Sequence, residues 1–287
     1  MNTIADTTYR TKFYAATLQQ VLRNALIAEK ICQVDNSDNK TIKNPYGSQP
    51  TATVQAIAGT YSVSAYTTTV STLTVTDEVT YAEHVYDWED ILSNYDLFAN
   101  RVEEIGYSVA HAVDVYVLNY LLEAGTGTYT TPVGGFTTAS NINVIISNLA
   151  SKVMGYAETY NGMFLVIENT DVVGFMQAQM TNGFSYADAA LNNGFLTTYG
   201  GVEIYVARTG TFTDATTDTT SGTQTWTNSG HRMFGVKNMC TYASPRGVLV
   251  EEKSVSGAFG KEIAIHALIG AKLWDTKAGL IVDITLA

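Results

Sequence analysis

The stretch "STLTVTDEVTY", Ser71–Tyr81, alternates between two faces along its whole length. Mostly apolar side chains form one face, which comprises Leu73, Val75, Asp77, Val79 and Tyr81, and threonine dominates the other. A period of two residues predicts a β-strand, and the pattern continues to Val85, which makes the strand long for a globular protein. Because one face is paved with threonine, such a strand needs another surface to pack on.

The residues before this stretch also have β character, since Tyr61, Val63 and Ala65 alternate in the same way. The simplest construction is a long two-stranded hairpin within residues 51–86. A hairpin with a threonine face buries little of its own surface, so it must lie on the chain's own domain or on a neighbouring subunit. This is a first indication of assembly.

Composition favours a folded chain that contacts other protein. The 287 residues suffice for one large domain or two ordinary ones. Charged residues make up 15% and the net charge is −11, so the average field repels nucleic acid, anionic lipid and acidic substrates. Sequence-specific nucleic-acid binding is not expected.

Cysteine content and apolar runs bear on the compartment. Cys32 and Cys240 are too few for a disulfide framework, and although they could pair, we predict two reduced thiols in the core. The chain shows no secretory signal and no apolar run long enough to span a bilayer. We therefore expect a soluble chain in a reducing compartment, without a membrane partner.

Helical and strand patterns together predict an α+β fold. A long helix is predicted over 95–124, with a possible capping box at Ser93–Asp96 and a stop at Gly125. Less regular helices are predicted over 11–30 and about 141–159, and a further helix follows the buried strand "MFLVIE", capped by Thr170. Strands are predicted at "GVEIYVAR", "GVLVEE", "KEIAIHALIGAKLW" and "GLIVDITL".

Residues 211–230 are rich in threonine and hold almost nothing to bury. They predict a mobile loop or a hairpin that becomes ordered against partners.

No motif indicates catalysis or cofactor binding. Gly260-Lys261 precedes glutamate and lacks the upstream glycine of a phosphate-binding loop, and "GTGTYT" lacks the third glycine of a dinucleotide fingerprint. Neither cysteine has a local histidine partner, and no serine lies in a nucleophile elbow. We predict no catalytic residue, no cofactor and no enzyme activity.

The four histidines are scattered and lack metal-ligand spacing, so no metal site is predicted. His111 lies three residues before Asp114, which predicts a surface or interface pair. His266 falls on the polar side of its strand. The carboxylates of "YDWEDI" are interpreted as solvated charge before a helix rather than a cation site.

The order of these elements resembles the Hong Kong 97 fold of the major capsid proteins of tailed bacteriophages. The segment "LTVTDEVTYAEHVYDWEDILSNYDL" is similar to the return strand of that family's extended loop, and "VEEIGYSVAHAVDVYVLNYLL" to its spine helix. "MFLVIENTDVVGFMQAQM" and "GVEIYVARTG" resemble its axial domain, and "RGVLVEEKSVSGAFGKEIAIHALIGAKLWDTKAGLIVDI" resembles the terminal strands of its peripheral domain. The resemblance covers almost the whole chain and rests on pattern rather than on an exact motif.

The resemblance implies a division of the chain and three sets of contact residues. The N-terminal arm would be 1–38, the extended β-hairpin loop 39–86, the peripheral domain with its spine helix 87–135 and 245–287, and the axial domain 136–244. The implied contact residues are Leu73, Val75, Glu78, Val79 and Tyr81 in the extended loop, Arg101, Glu104 and His111 on the spine helix, and Thr213, Asp214 and Trp226 in an axial loop facing the capsomer centre.

The resemblance also implies a structural role in the virion capsid, assembled in the host cytoplasm. Copies of the chain would form hexamers and pentamers of an icosahedral shell around double-stranded DNA, which they would contact only non-specifically. The implied partners are the chain itself, a portal protein, and separate scaffolding or decoration proteins.

In this interpretation the extended loop lies across a neighbour's spine helix. Shortening residues 51–80 should then leave a folded monomer that builds no shell. Two alternatives remain open, an encapsulin-like compartment shell and a secreted β-rich surface-layer protein.

Overall fold

The computed structural model describes residues 26–47, 54, 57, 59, 68–85, 97–155, 161–181, 195–219, 222–245, 247–254 and 260–287. Its α-helices in these ranges are α1 Ala28–Ile31, α2 Leu97–Ala124, α3 Ala139–Val153 and α4 Val172–Thr181. Short 3-10 helices cover Gly135–Thr137, Asn169–Asp171 and Asp275–Leu280. The strands are β1 Gln33–Asp35, β2 Thr41–Gly47, β3 Thr68–Thr74, β4 Asp77–Val85, β5 Gly127–Thr130, β6 Met163–Glu168, β7 Phe195–Tyr199, β8 Val202–Ala207, β9 Asp214–Thr219, β10 Gly222–Thr227, β11 His231–Val236, β12 Cys240–Ala243, β13 Val248–Ser254, β14 Lys261–Leu273 and β15 Ile281–Thr285.

The first sheet is built around the 13-residue strand β14. Strands β4, β12 and β13 all pair with it antiparallel, and β1 extends the sheet by pairing parallel to β12. The alternating apolar residues of β14 are buried as the sequence predicts, and they are Ile263, Ile265, Ala267, Ile269, Ala271 and Leu273. They share one core with the long helix α2.

The second sheet is mixed, with strand order β5-β15-β11-β6-β8-β7. One of its faces, including Phe164 and Val166 of β6, belongs to the same core as α2. The other face, including Leu165 and Ile167, packs with buried side chains of α3 and α4. Because both faces are covered, β6 is apolar at nearly every position rather than at alternate ones.

Helix α2 contributes buried residues to the core that both sheets share. It has 28 residues and is about 42 Å long at 1.5 Å per residue. The prediction of a helix over 95–124 is confirmed for the described residues, and Gly125 ends it with its N–H donating to the Leu121 carbonyl at 3.0 Å. Ala112 on this helix is exposed. None of the helices in the described ranges is long and apolar enough to cross a membrane.

The prediction of one continuous strand from Ser71 to Val85 is wrong, because the chain changes partner in the middle. β3 pairs antiparallel with β2, whereas β4 pairs with β14, and the two strands are separated at Val75 and Thr76. The inward face nevertheless stays buried through the break. Gly270 of β14 allows the close crossing, because a Cβ atom there would lie 3.1 Å from the Val75 side chain.

Residues 71–80 therefore belong to the core of their own chain. From the structure we expect that a deletion of 51–80 does not leave a folded monomer, because it removes the end of β3 and the start of β4. The antiparallel pairing of β2 with β3 does agree with a projecting hairpin, since its last described pair is Gly47 opposite Thr68.

Two further sequence predictions need correction. Thr170 does not cap α4; instead the Glu168 and Asp171 side chains form a capping box at the 3-10 turn that leads into the helix. Residues 211–230 are not devoid of buried side chains, because they form the hairpin β9-β10, and Phe212 and Trp226 are only 3% and 5% exposed. The reason is that this hairpin packs on α2.

Other predictions match or fall outside the described ranges. Helix α3 buries the expected face but ends at Val153 rather than near residue 159. The strands predicted at "GVEIYVAR" and in the C-terminal region are confirmed. Of the helix predicted over 11–30, residues 11–25 lie outside the described residues, and in the described part only Ala28–Ile31 is helical. The capping box at Ser93–Asp96 and the carboxylates of "YDWEDI" also lie outside the described residues.

Gly174 in α4 gives a direct test of this packing. A Cβ atom built there would lie 1.8 Å from the Phe136 carbonyl oxygen, which is backbone and cannot move aside easily. We predict that Gly174→Ala lowers the free energy of unfolding by about 3 kcal/mol in urea denaturation. Gly155→Ala is the matched control, because a Cβ there meets nothing within 4 Å, and an equal loss in both variants would contradict this packing.

Candidate subunit interface

Helix α2 carries one predicted set of contact residues and meets members of the other two, Val79 and Tyr81 of β4 and Trp226 of β10. The Tyr116 hydroxyl in the helix donates a hydrogen bond to Asp77 Oδ2 of β4 at 2.5 Å. The Tyr116 ring also meets Trp226 of β10 edge-on, with centroids 6.4 Å apart, and stacks on Tyr120. Segments about 40 and 110 residues away in sequence are thereby brought together on one helix.

Of the predicted extended-loop residues, Leu73 and Val75 are buried within the chain. They are 3% and 4% exposed and pack with Ala243 and Trp274. Val79 and Tyr81 are half-buried against the core shared with α2. Glu78 points outward, with Oε1 2.6 Å from His266 Nδ1, so His266 does lie on the polar side of β14. Leu73 and Val75 consequently have little area left for a second subunit.

Arg101 and Glu104 belong to a charged group that joins α2 to β4. The Arg101 guanidinium is 2.5 Å from both Glu83 and Glu104, and the Tyr81 hydroxyl donates to Glu83 at 3.0 Å. The bond to Glu83 raises the pKa of the Tyr81 phenol. Because this group is largely solvated, each ion pair contributes at most about 1 kcal/mol.

The predicted pairing of His111 with Asp114 is wrong, because the two side chains lie in different surroundings. His111 is half-buried, and burial together with the nearby Arg208 lowers the pKa of its imidazole. Asp114 instead points into the core and is 7% exposed. Its carboxylate accepts the backbone N–H groups of Ile27 at 3.1 Å and Ala28 at 2.9 Å.

Asp114 is thus an anchor for the start of α1 that sequence reasoning missed. Burial raises the pKa of Asp114 to about 7, against the opposing effect of its two backbone hydrogen bonds. Lys30 favours the ionised carboxylate, and Glu29 disfavours it. The segment that precedes β1 is therefore held on α2 by a group that titrates near neutral pH.

Asn119 is a second missed anchor, and it holds the threonine-rich hairpin. Its side-chain amide donates to the carbonyls of Val115 and Thr211, both at 2.7 Å, and Asn119 Oδ1 accepts from Asn228 Nδ2 at 3.0 Å. Glu123 one turn later accepts the Thr227 N–H at 3.2 Å. A polar residue inside the apolar run "VLNYLL" was the available signal, although the sequence does not identify its partners.

The predicted axial-loop residues lie at the base of this hairpin. Thr213 is half-buried, and Asp214 is exposed with Oδ1 accepting the Ser229 N–H at 2.8 Å. Trp226 is buried on α2. These two polar residues retain area for another molecule, whereas Trp226 is already covered by its own chain.

A buried charged cluster fastens the chain just before the hairpin. Arg232 lies 2.5 Å from Asp171 and 3.3 Å from Glu168, and Glu168 Oε1 accepts the Gly210 N–H at 3.0 Å. These charges neutralise and hydrogen-bond one another, which is the role expected of buried ion pairs. Within the described residues, no group of three or more His, Cys, Asp or Glu side chains could hold a metal ion.

Apolar side chains without cover occur between β2 and β3 and on α2. Val54 and Ile57, between these two strands, are completely exposed. On the outer side of α2, Tyr107 is 55% exposed, and its neighbours Ser108 and Ala112 are exposed as well. Exposed apolar and uncharged groups of this kind are typical of surfaces that contact other protein.

Comparison with solved structures identifies the fold. The capsid of cyanophage P-SCSP1u matches with a TM-score of 0.68 at 12% identity, over 92% of this chain and 88% of the other. Mycobacterium phage Che8 matches with a TM-score of 0.62 at 15% identity, over 86% and 84%. A virus-like particle from Pyrococcus furiosus matches with a TM-score of 0.61 at 9% identity, over 96% and 99%. No family model and no curated protein matches the sequence.

The chain therefore has the mixed α+β fold of phage capsid proteins, and the resemblance stated from the sequence is confirmed at the level of the fold. Identities of 9–15% carry the fold and no more. Each match covers most of both compared chains, so it concerns the fold as a whole rather than one shared motif.

The buried Asp114 predicts an unusual pH dependence. The folded-state pKa of about 7 lies above the ordinary 3.8, so the contribution of Asp114 to stability is fully present below pH 4 and is lost as the pH rises to 7. At 1.36 kcal/mol per unit, the change is roughly 4 kcal/mol. Asp114→Asn should therefore gain stability relative to wild type between pH 4 and pH 8, as measured by urea unfolding.

The matched control is Asp38→Asn, which makes the same substitution at an exposed position. A difference between Asp114→Asn and wild type that stays constant with pH would contradict the assignment of a neutral-range pKa to Asp114.

Proposed function

We propose that this chain is the major capsid protein of a tailed phage, self-assembling into hexamers and pentamers of an icosahedral shell that encloses double-stranded DNA. The observation that carries the proposal is the likeness to capsid subunits over 86–92% of this chain, at TM-scores of 0.62–0.68. The role is structural rather than enzymatic. The subunit would be part of the virion capsid, assembled in the host cytoplasm with a portal and with separate scaffolding or decoration proteins.

The division into arm, extended loop, peripheral domain and axial domain is part of this proposal. Residues 48–67, between β2 and β3, would form the outer part of the extended loop and reach a neighbouring subunit. Val54 and Ile57 support this role, because burying two completely exposed apolar side chains in an interface is favourable by roughly 1.5–3 kcal/mol each. The receiving surface would be the outer side of the neighbour's α2, around Tyr107.

Charge is consistent with an enclosing shell. The net charge of −11 repels a packaged genome, so the DNA would be confined rather than bound, through non-specific contacts. The small share of charged residues, 15%, allows extensive interfaces without desolvating many ions.

A closed shell with other contents is the second candidate, and the likeness to the Pyrococcus furiosus virus-like particle keeps it open. The two candidates differ in what the particle contains. Nuclease-resistant double-stranded DNA in particles from a complete phage infection supports the capsid, whereas a protein cargo without DNA supports a compartment.

Charge placed on the loop tests the proposed contact. We predict that Val54→Asp with Ile57→Asp leaves the thermal melting temperature Tm unchanged, because both side chains are fully exposed in the single chain. The same variant should form no shells by electron microscopy, since two carboxylates would have to be buried at the interface. Val133→Asp is the matched control, because Val133 is 88% exposed but lies outside the loop. Equal assembly by all three proteins would refute the contact.

A loop replacement separates folding from assembly more completely. Because Gly47 lies opposite Thr68, residues 48–67 can be replaced by a two-residue Asn-Gly turn that retains the β2-β3 pairing. The shortened chain should unfold at the wild-type Tm and sediment as a monomer. A Gly/Ser segment of the original length serves as a control for chain length and should also fail to assemble. Shell formation by the shortened chain, or its failure to fold, would overturn this role of the loop.

A further inference from the structure

Two cysteines from distant parts of the chain lie side by side in the core. Cys32 follows α1, and Cys240 is the first residue of β12, 208 residues later. Their Sγ atoms are 2.7 Å apart, and both thiols are free. No function described above uses this pair.

Strand register, independently of the sulfur positions, places these residues at the spacing of a disulfide. β1 pairs parallel to β12 with Gln33 opposite Thr241, so Cys32 and Cys240 stand opposite each other one residue earlier. Neighbouring strands are about 4.8 Å apart, which falls within the 4.4–6.8 Å between Cα atoms that a disulfide spans. A bond between the two sulfurs requires no rearrangement of the backbone.

Burial keeps both thiols unreactive while residues 26–35 stay packed on the core. Cys32 is 4% exposed and Cys240 is fully buried. Burial raises the pKa of Cys32, and so do the contact with Cys240 and the nearby Asp114 carboxylate. Because the thiolate is the reactive form, oxidation requires that this part of the chain first opens to solvent.

The segment that carries Cys32 consists of two short elements packed on the core, in which Leu26, Ile27 and Ile31 are each at most 3% exposed. Its helix α1 has four residues, and its strand β1 has three. Beyond the two bonds to Asp114, the Ile31 carbonyl accepts the Asn238 N–H at 2.9 Å and the Asp35 carbonyl accepts the Ser244 N–H at 3.1 Å. Because both elements are short, this segment can open locally, at a lower free energy than unfolding of the whole domain requires.

We propose that Cys32 and Cys240 are an oxidative modification site, at which a low-molecular-weight disulfide closes an intrachain bond that fastens residues 26–35 to the first sheet. In the open state one thiol loses its proton, and the thiolate attacks the small disulfide. This forms a mixed disulfide and releases one small thiolate. The second cysteine thiolate then attacks the mixed disulfide and displaces the other small thiolate. Two cysteine thiols are oxidised, and one small disulfide is reduced to two thiols.

The bond has a physical consequence for the chain beyond the local contact. It closes a loop of more than 200 residues, which restricts the unfolded chain strongly. It also prevents the segment from lifting off α2. The timing rests on the proposed function, because a capsid made in a reducing cell would acquire the bond after release into oxidising surroundings.

The test uses the full chain as an unassembled subunit, so that it does not depend on shell formation. The subunit is incubated with excess glutathione disulfide at pH 8, about 10 °C below its Tm, and digested without reduction for mass spectrometry. We expect one linked pair of peptides that contains Cys32 and Cys240, in a monomer. The Tm should rise by about 10 °C and return to its starting value with dithiothreitol.

Cys240→Ala and Cys32→Ala are the controls and should show no oxidant-dependent rise in Tm. If either variant fails to fold, the peptide mapping of the wild-type chain still decides the matter. Free thiols after incubation, glutathione adducts on both cysteines, links between chains, or a link without a rise in Tm would each overturn the proposal. A subunit that forms the bond but never builds shells would refute the proposed function and leave this inference standing.

Discussion

The burial of one face of β14 against α2 is the contact on which the rest of the structure depends. Six alternating side chains of β14, from Ile263 to Leu273, need an apolar cover, and the long helix supplies it. At roughly 1.5–3 kcal/mol per fully buried aliphatic side chain, this face contributes more than any one of the polar contacts described above. Because β4, β12 and β13 all hydrogen-bond to β14, the position of the helix determines the position of the whole first sheet.

Polar side chains of α2 then hydrogen-bond to segments that are distant in sequence and hold them on this core. Asp114 holds the start of α1, Tyr116 holds the start of β4, and Asn119 holds the threonine-rich hairpin. Each bond alone contributes little, but an unpaired buried carboxylate or amide would be costly, so these contacts select one arrangement among many apolar ones. The exposed side chains of Val54, Ile57 and Tyr107 take no part in these contacts and keep their surface for another molecule.

The regular elements could be predicted from the sequence because their periods are visible locally. β14, α2 and α3 each bury one face, so the spacing of their apolar residues in the sequence is enough to predict them. The break at Val75 and Thr76 could not be predicted, because it arises where the chain leaves β2 and joins β14, and the alternation continues unchanged through it. The burial of Trp226 was missed for a similar reason, since its cover comes from α2, about 110 residues earlier. For the candidate interface, alternation located Glu78 and Tyr81 on the correct faces, but it could not reveal that Leu73 and Val75 are enclosed by Trp274.

The proposed capsid subunit is completed by contacts between copies, made by residues 48–67 between β2 and β3. Cryo-electron microscopy of particles assembled from the wild-type chain measures this most directly. We expect a closed shell in which residues 48–67 of one subunit rest on the outer side of a neighbour's α2, with Val54 and Ile57 covered. A shell in which this segment folds back on its own subunit, or a chain that stays monomeric with its assembly partners present, would contradict it.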